Sequence, residues 1–307
     1  MSVIGFDTSN YTTSIAFFDG VDGVNCSKLL PVRAGELGLR QSDAVFHHTK
    51  SLPELSGRLF SDIAIDSVTA IGVSTRPRAV DGSYMPCFMV GYSHAKLLAD
   101  ALHVPLIQCS HQQGHVAAAL WSADRMDLMD TPHLAWHLSG GTTELLLIEP
   151  DHGNVSCKKI GGTTDISAGQ LIDRTGQMLN LSFPAGKHID VLSKDSQNTD
   201  YFRAKCTDAE FSLSGIQNKV QKYFETCQDP AETAGYVLRC VCHTVIRATE
   251  NALKAYPGLA VVFSGGVASN SMLRQLAEPL NPVFAQPHFS TDNAMGVAIL
   301  ADRLRKE

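Results

Sequence analysis

Residues 3–18 read V-I-G-F-D-T-S-N-Y-T-T-S-I-A-F-F. Two apolar runs flank a short polar turn at 8–12, and this pattern is typical of a β-hairpin. A similar pattern returns at residues 133–149, H-L-A-W-H-L-S-G-G-T-T-E-L-L-L-I-E, where residues 139–143 form the turn. Because one strand–turn–strand pattern occurs twice, the sequence predicts an internal duplication of one α/β unit.

The segments between and after these hairpins follow the same α/β pattern. The periodicity predicts helices at 50–65, 91–102 and 292–304, strands at 68–74, 105–108 and 260–263, and mostly helical structure over 165–255. We therefore expect an N-terminal lobe at 1–130 that is completed by a C-terminal helix at 292–307. We expect a second lobe at 131–291, with a helical insertion at about 165–225.

The composition indicates a cytoplasmic globular protein. The chain has 307 residues, is 44% hydrophobic and carries a net charge of −6, which argues against a general nucleic-acid coat. Its N-terminus lacks the basic and apolar regions of an export signal, and no apolar run approaches the length of a membrane span. The eight cysteines are scattered without a C-x-x-C pair, so we expect free thiols.

Three turns of small residues suggest a nucleotide site. Backbone N–H groups in such turns bind phosphate oxygens. The turns of the two hairpins would clasp the phosphates between the lobes, and a third turn at 264–270 would hold the adenosine end. Each turn taken alone is more typical of a plain hairpin or of the start of a helix, whereas three such turns in this order are more specific to a nucleotide site.

The stretch S-H-Q-Q-G-H-V at 110–116 places His111 and His115 four residues apart. On a helix this spacing puts both imidazoles on one face, where they can bind one ion. The spacing is equally compatible with two ordinary histidines. A zinc peptidase of the H-E-x-x-H type is disfavoured, because Gln112 occupies the position of the general base.

Taken together, the motifs resemble those of the TsaD/Gcp family of the actin-like ATPase (ASKHA, RNase H-like) superfamily, once described as O-sialoglycoprotein endopeptidases of peptidase family M22. The resemblance covers nearly the whole chain. The matching motifs in this sequence are I-G-F-D-T-S, P-E-L, H-Q-Q-G-H, L-S-G-G-T-T, A-G-Q-L-I-D-R, F-P-A-G, F-S-L-S-G-I, S-G-G-V-A-S-N-S-M-L-R and S-T-D-N-A. The resemblance implies two duplicated actin-like lobes with a nucleotide cleft between them.

The resemblance also implies roles for single residues. His111, His115 and Asp292 would bind one divalent metal, iron or zinc, and form the catalytic centre. Contacts to an adenine nucleotide (ATP, ADP, AMP or threonylcarbamoyl-adenylate) or to the substrate would come from the remaining motif residues. These are Asp7, Ser9, Leu138, Ser139, Gly140, Gly141, Thr142, Asp173, Gly186, Asp190, Gly265, Gly266 and Asn270.

The activity implied by the resemblance is transfer of a threonylcarbamoyl group to the N6 amine of the tRNA adenosine beside the anticodon. The implied partners are tRNA and proteins of the threonylcarbamoyl transfer machinery, with no membrane. A homo-oligomer is compatible with the sequence.

Several positions depart from the family pattern, and they lie in the motifs that would form the site. Tyr11 and Thr12 replace two carboxylates of the first turn, and Gln113 replaces a glutamate between the histidines. Arg76 and Arg78 stand where the family has small residues, and we expect at least one of them to bind an anion. The other departures are Gln217 in place of a lysine and Leu59-Phe60 in place of a final histidine.

Two alternatives follow from these departures. One is a paralogue that transfers a carbamoyl or acyl group to another acceptor. The other is a non-catalytic partner of a tRNA-modifying complex, which the intact set of His111, His115 and Asp292 argues against. Arg76 and Arg78 are also compatible with solvated loop residues.

Overall fold

A computed structural model describes residues 1–9, 11–31, 39–290 and 292–306. The chain forms two compact units. Unit 1 comprises Met1–Thr131, Glu149–Cys157 and Asp292–Glu307, and unit 2 comprises Pro132–Ile148 and Lys158–Thr291. Two ends of the predicted lobes, at 291 and 307, and residue 10 of the predicted first turn lie outside the described residues.

The elements alternate between strand and helix as an α/β fold requires. The strands are β1 (Ser2–Ser9), β2 (Thr12–Phe18), β3 (Gly23–Leu29), β4 (Val68–Arg76), β5 (Leu106–Ser110), β6 (His133–Leu138), β7 (Thr143–Asp151), β8 (Asn154–Thr163), β9 (Cys206–Thr207), β10 (Glu210–Phe211), β11 (Ala260–Ser264) and β12 (Val283–Phe284). The helices are α1 (Gln41–Ser61), α2 (Phe88–Leu102), α3 (His111–Ser122), α4 (Ala168–Met178), α5 (Gly186–Ser193), α6 (Ser214–Cys227), α7 (Pro230–Ala255), α8 (Ser271–Ala277) and α9 (Met295–Leu304).

The sheet of unit 1 has the order β3-β2-β1-β4-β5. Strands β1 and β2 are antiparallel, with Val3 opposite Phe18, whereas β1–β4 and β4–β5 are parallel. Alternate residues of β1 face opposite sides of the sheet. Phe6 packs with Leu52 of α1 and Val90 of α2, while Val3 on the other side packs with Ala301 of α9. Each face of this sheet is therefore covered by helices.

The sheet of unit 2 has the order β12-β11-β6-β7-β8-β10-β9. Strands β6 and β7 are antiparallel, and β6–β11 and β11–β12 are parallel. The series β8-β7-β6-β11-β12 thus repeats the order β3-β2-β1-β4-β5, which confirms the predicted duplication. The core of this unit includes Trp136, which is fully buried and donates its indole N–H to Thr249 Oγ1 of α7 over 2.8 Å.

Several predicted bounds were wrong. The helix predicted at 50–65 spans 41–61, and the helix predicted from 91 begins at Phe88. The last helix begins at Met295 and not at 292, and just before it the side chain of Asn293 accepts the Met295 N–H over 3.1 Å. As a result Asp292 lies outside the helix.

The sequence also failed to predict some strands. Strands β3 and β8 were missed because their sequences, G-V-N-C-S-K-L and N-V-S-C-K-K-I-G-G-T, lack strict apolar alternation. The region 165–255 is interrupted by the short strands β9 and β10, and β10 extends the sheet beside β8. Among the described residues, no helix is long and apolar enough to cross a membrane.

Candidate metal centre and nucleotide-binding loops

The start of helix α3 positions the two histidines. Ser110 closes strand β5 and caps the helix: its Oγ accepts the Gln113 N–H over 3.2 Å, and Gln113 Oε1 accepts the Ser110 N–H over 2.9 Å. This reciprocal capping box makes His111 the first helical residue. His111 and His115 then lie one turn apart on the same face of the helix.

Asp292 joins these histidines. His111 Nε2 lies 2.9 Å from His115 Nε2, and Asp292 Oδ1 lies 3.2 Å from His115 Nε2 and 3.6 Å from His111 Nε2. The ligand atoms of these three side chains lie within 4.8 Å of one another, so that together they could hold one metal ion. The sequence-predicted set therefore comes together within unit 1.

The separations fit a divalent ion. Ligand atoms about 2.0–2.1 Å from a tetrahedral ion are about 3.3 Å apart, and the three observed distances of 2.9, 3.2 and 3.6 Å bracket that value. Two imidazole nitrogens and one carboxylate suit zinc and iron. Three protein ligands leave open positions for a substrate oxygen.

Asp7 contacts this group from the far side of His111. Its Oδ2 lies 2.6 Å from His111 Nδ1, and its Oδ1 accepts the Ser9 N–H over 2.8 Å. Burial alone would lower the pKa of His111, but the charge and hydrogen bond of Asp7 and the charge of Asp292 outweigh it and raise that pKa to about 9. The carboxylates of Asp7 and Asp292 therefore stabilise positive charge at the first histidine.

A close helix contact sets the distance between the histidines and Asp292. A Cβ added at Gly296 would lie 1.8 Å from Gly114 O, so the backbones of α3 and α9 touch here. Gly114 lies between the two histidines, and Gly296 follows Asp292 by four residues. Two glycines therefore allow the approach that brings the ligand atoms together.

Gln113, where the family has a glutamate, makes its hydrogen bonds to Ser110 and Val155. Besides closing the capping box, its Nε2 donates to Val155 O over 2.7 Å, and the residue is buried. An amide can donate to a carbonyl whereas an ionised carboxylate cannot. The glutamine is explained by this hydrogen bond.

The other residues predicted in unit 1 lie near the carboxyl ends of its strands. Ser9 is buried, and its Oγ has no hydrogen-bond partner within the described residues. Arg76 ends β4 opposite Ser110 and is exposed, and Arg78 is exposed two residues further on. Arg76 thus lies in the strand next to the one that leads into His111.

The predicted phosphate loop of unit 2 is a tight turn between β6 and β7. The Ser139 N–H donates to Thr142 O over 2.8 Å, and Ser139 Oγ accepts the Thr142 N–H over 3.0 Å. A Cβ added at Gly140 or Gly141 would meet nothing within 4 Å, so the tip of the turn is open. This geometry is compatible with close approach of a phosphate.

The third small-residue turn touches this loop. Gly265 has φ +93°, and a Cβ there would lie 2.2 Å from Leu138 O. The turn continues through Gly266 to Asn270, whose Oδ1 accepts the Leu273 N–H over 3.0 Å and caps α8. The structure therefore brings two of the three predicted turns together at one edge of the sheet of unit 2.

The predicted ribose residues hold the neighbouring segments. Asp190 Oδ1 accepts from Asn270 Nδ2 over 2.7 Å and from the N–H and hydroxyl of Ser271 over 3.0 and 2.9 Å. Asp173 accepts the Ala185 N–H over 2.8 Å, immediately before Gly186, and burial raises its pKa. Asp190 and Asn270 are thus joined directly, and Asp173 is linked to the start of α5.

Sequence reasoning missed two features of the candidate metal centre, namely the contact of Asp7 with His111 and the Gly114–Gly296 approach. Asp7 lies near the carboxyl end of β1, and His111 follows the carboxyl end of β5. Parallel strands of one sheet present these ends at the same edge. The positions of Asp7 and His111 at the carboxyl ends of two predicted strands could therefore have predicted their contact.

Solved structures share the actin-like fold of this chain. The chain resembles component A of (R)-2-hydroxyglutaryl-CoA dehydratase from Acidaminococcus fermentans, with a TM-score of 0.58 and 16% identity over 100% of both chains. HypF from T. kodakarensis gives a TM-score of 0.66 with 12% identity over 99% of this chain and 47% of that one. A ROK-family glucokinase from Streptomyces griseus gives 0.54 with 12% identity over 100% of both chains. These likenesses show that the fold is a duplicated actin-like α/β fold.

Sequence relatives define the family within this fold. The profile described as TsaD, tRNA N6-adenosine threonylcarbamoyltransferase, matches residues 37–299. Proteins of that name from Thermosipho africanus and a Sulfurihydrogenibium species are each 30% identical over 100% of this chain, and over 95% and 91% of their own lengths. The chain belongs to the TsaD family, whose members are acyltransferases.

Proposed function

We propose that this chain transfers a threonylcarbamoyl group from threonylcarbamoyl-adenylate to the N6 amine of the tRNA adenosine beside the anticodon. The observation that carries the proposal is the convergence of His111, His115 and Asp292, with 2.9–3.6 Å between their ligand atoms, in a chain of this family. One divalent metal, iron or zinc, and an adenine nucleotide are the proposed cofactors. The proposed partner is tRNA in the cytoplasm, and partner proteins and self-association are compatible with the proposal.

The metal ligands have separate tasks. His111 and His115 would each supply an Nε2 lone pair, and Asp292 would supply one negative charge. When bound, the ion would supply electrophilic stabilisation of negative charge that develops on substrate oxygens. The buried Oγ of Ser9, which lacks a partner among the described residues, is a further proposed contact for the substrate.

The loops of unit 2 would hold the nucleotide. We assign the phosphates to the turn Leu138–Thr142, whose two glycines are open at the tip. The ribose is assigned to Asp173, Gly186 and Asp190. All donors to Asp190 within the described residues bond to Oδ1, so Oδ2 is the oxygen proposed for a ribose hydroxyl. The adenosine is assigned to Gly265, Gly266 and Asn270.

The chemistry is acyl transfer from a mixed anhydride. The N6 lone pair attacks the carbamoyl carbon, the bond from that carbon to the phosphate oxygen breaks, AMP leaves with the bonding electrons, and the amine loses its proton to solvent. Much of the acceleration in such a reaction comes from holding both reactants in line. Most of the remaining rate acceleration comes from hydrogen-bond donors that are fixed toward the oxygens on which negative charge develops.

The test uses a strain in which this chain is the only member of the family. Bulk tRNA is digested and its nucleosides are measured by mass spectrometry. We expect N6-threonylcarbamoyladenosine with the wild-type chain and with the control His47→Ala, which changes a histidine of α1. We expect at least a tenfold loss with His115→Ala, because removal of one of three ligands weakens a metal site severely.

The same experiment separates the second candidate, a paralogue that uses another acyl donor or acceptor. Arg76, exposed beside the strand that leads to His111, and the uncharged Tyr11 and Thr12 favour this alternative, since both changes make the first unit more suited to an anion. If the wild-type chain yields no modified nucleoside although it is expressed and folded, the tRNA assignment is wrong. Loss of an AMP-induced rise in melting temperature in the double variant Arg76→Ala/Arg78→Ala would then support the alternative.

A further inference from the structure

We propose that Asp7 is a positioning residue of the metal centre, which holds the imidazole of His111 so that Nε2 is directed to the ion. The inference rests on the proposed metal set and adds a residue that was expected to contact the nucleotide. A carboxylate that accepts from the second nitrogen of a ligating histidine fixes both the tautomer and the orientation of the ring.

The contacts of Asp7 leave its carboxylate little freedom. Oδ2 lies 2.6 Å from His111 Nδ1, and Oδ1 accepts the Ser9 N–H over 2.8 Å. The residue is 1% exposed. Both oxygens are engaged within the unit, so Asp7 is poorly placed to bind a nucleotide and well placed to orient a neighbour.

The strand order explains how Asp7 reaches the histidine. Asp7 and Val3 share a face of β1, because side chains alternate along a strand. Val3 packs against Ala301 of α9 on that face. Strand β4 separates β1 from β5, whose end leads into α3. Asp7 therefore faces the layer of α3 and α9, where His111 and Asp292 lie.

The ring geometry distinguishes orientation from ligation. When Nδ1–H donates to Asp7, the lone pair of the neutral imidazole is on Nε2. That atom lies 2.9 Å from His115 Nε2 and 3.6 Å from Asp292 Oδ1. The imidazole ring stands between Asp7 and these groups, so Asp7 is not a fourth ligand. It acts through His111.

The test measures zinc affinity of the purified full chain by competition with a chromogenic chelator. The variants are Asp7→Ala, Asp7→Asn and His115→Ala. The matched control is Asp302→Asn, which changes another buried carboxylate of unit 1, whose partners are Arg305 and Lys306. We expect about 10–100-fold weaker zinc binding in Asp7→Ala, as for other partners of ligating histidines. The zinc affinity of Asp7→Asn should lie between those of Asp7→Ala and wild type, because an amide oxygen still accepts a hydrogen bond from Nδ1–H.

A second measurement uses the wild-type protein and so does not depend on whether a variant folds. In the zinc-loaded wild-type protein, nitrogen NMR should show a proton on His111 Nδ1 and none on Nε2. Wild-type zinc affinity in folded Asp7→Ala, or a proton on Nε2 in place of Nδ1, would overturn the assignment. If His115→Ala also keeps wild-type affinity, the metal centre itself is wrong. Neither the zinc affinity nor the NMR measurement depends on activity toward tRNA. A failure of the proposed tRNA function is therefore distinguishable from a failure of the role assigned to Asp7.

Discussion

Replacing Gly296 with alanine should disrupt the metal centre without touching a ligand. The added Cβ would lie 1.8 Å from Gly114 O, 2.6 Å from Gly114 C and 2.9 Å from Ala118 N. Ordinary contacts of this kind are about 3.5 Å. All three of these atoms belong to the backbone of α3, so no side chain can rotate away. The two helices must separate locally by on the order of 1.5 Å.

That separation exceeds the tolerance of the proposed site. The distance from His115 Nε2 to Asp292 Oδ1 is 3.2 Å. If Asp292 moves with α9, this distance grows toward about 4.7 Å, compared with about 3.3 Å between ligands of a tetrahedral zinc. Overpacking of this kind costs about 1–3 kcal/mol in free energy of unfolding. In a unit of this size the melting temperature should fall by about 2–10 °C.

The assay combines thermal unfolding with zinc content of the purified protein. Gly57→Ala is the matched control, because Gly57 lies within α1 and a Cβ there would meet nothing within 4 Å. Alanine is the better helix former, so that variant should gain about 0.5–1 kcal/mol. We expect Gly296→Ala to lose both stability and zinc. Unchanged zinc content and melting temperature in this variant would refute the argument from the helix contact.

Two further predictions concern buried polar groups of unit 1. Gln113→Glu should lower the free energy of unfolding at pH 7 by about 1–3 kcal/mol. The reason is that a carboxylate would face Val155 O in place of the amide N–H that now donates to it. Equal urea midpoints for the variant and the wild type would contradict this. For Asp302, burial opposes ionisation, but hydrogen bonds and charges of Lys306 and Arg305 outweigh it and lower the pKa below its ordinary value of 3.8. A lowered pKa stabilises the ionised state above that ordinary value, so the stability gap between wild type and Asp302→Asn should be full at pH 6 and shrink as pH falls below about 4. A gap that stays constant between pH 6 and pH 3 would show that the ion pairs contribute nothing.

The duplicated fold was predictable because its central hairpins have a strong local signal. Strands β1 and β6 are rich in apolar residues, and each is followed after a short turn by a second apolar strand. The edge strand β3 was not predictable, since its alternating pattern is interrupted by polar residues. The last helix starts only at Met295, three residues after Asp292, and apolar periodicity did not predict this start.

The proposed metal ligands were predictable from motifs, but the residues that arrange them were not. His111 and His115 have a recognisable spacing, and Asp292 belongs to a motif of the family. The sequence motif assigned Asp7 to a phosphate turn. The contact of Asp7 with His111 joins strand β1 to the residue that follows β5, two strands away in the sheet. A pattern within one segment of sequence does not predict such a contact. The pairing of Gly114 with Gly296 is likewise a contact between distant segments.

The glutamines at two helix starts limit where a change of substrate can arise. Gln113, which replaces a glutamate of the family, closes a capping box with Ser110, as Gln170 does with Ser167. Glutamine serves this motif as well as glutamate, so the replacement at Gln113 removes a negative charge while the helix start is kept. Neither glutamine therefore requires the proposed metal set or the proposed phosphate loop to move. Any difference in donor or acceptor must then come from positions such as Arg76, whose exposed guanidinium can contact a substrate directly.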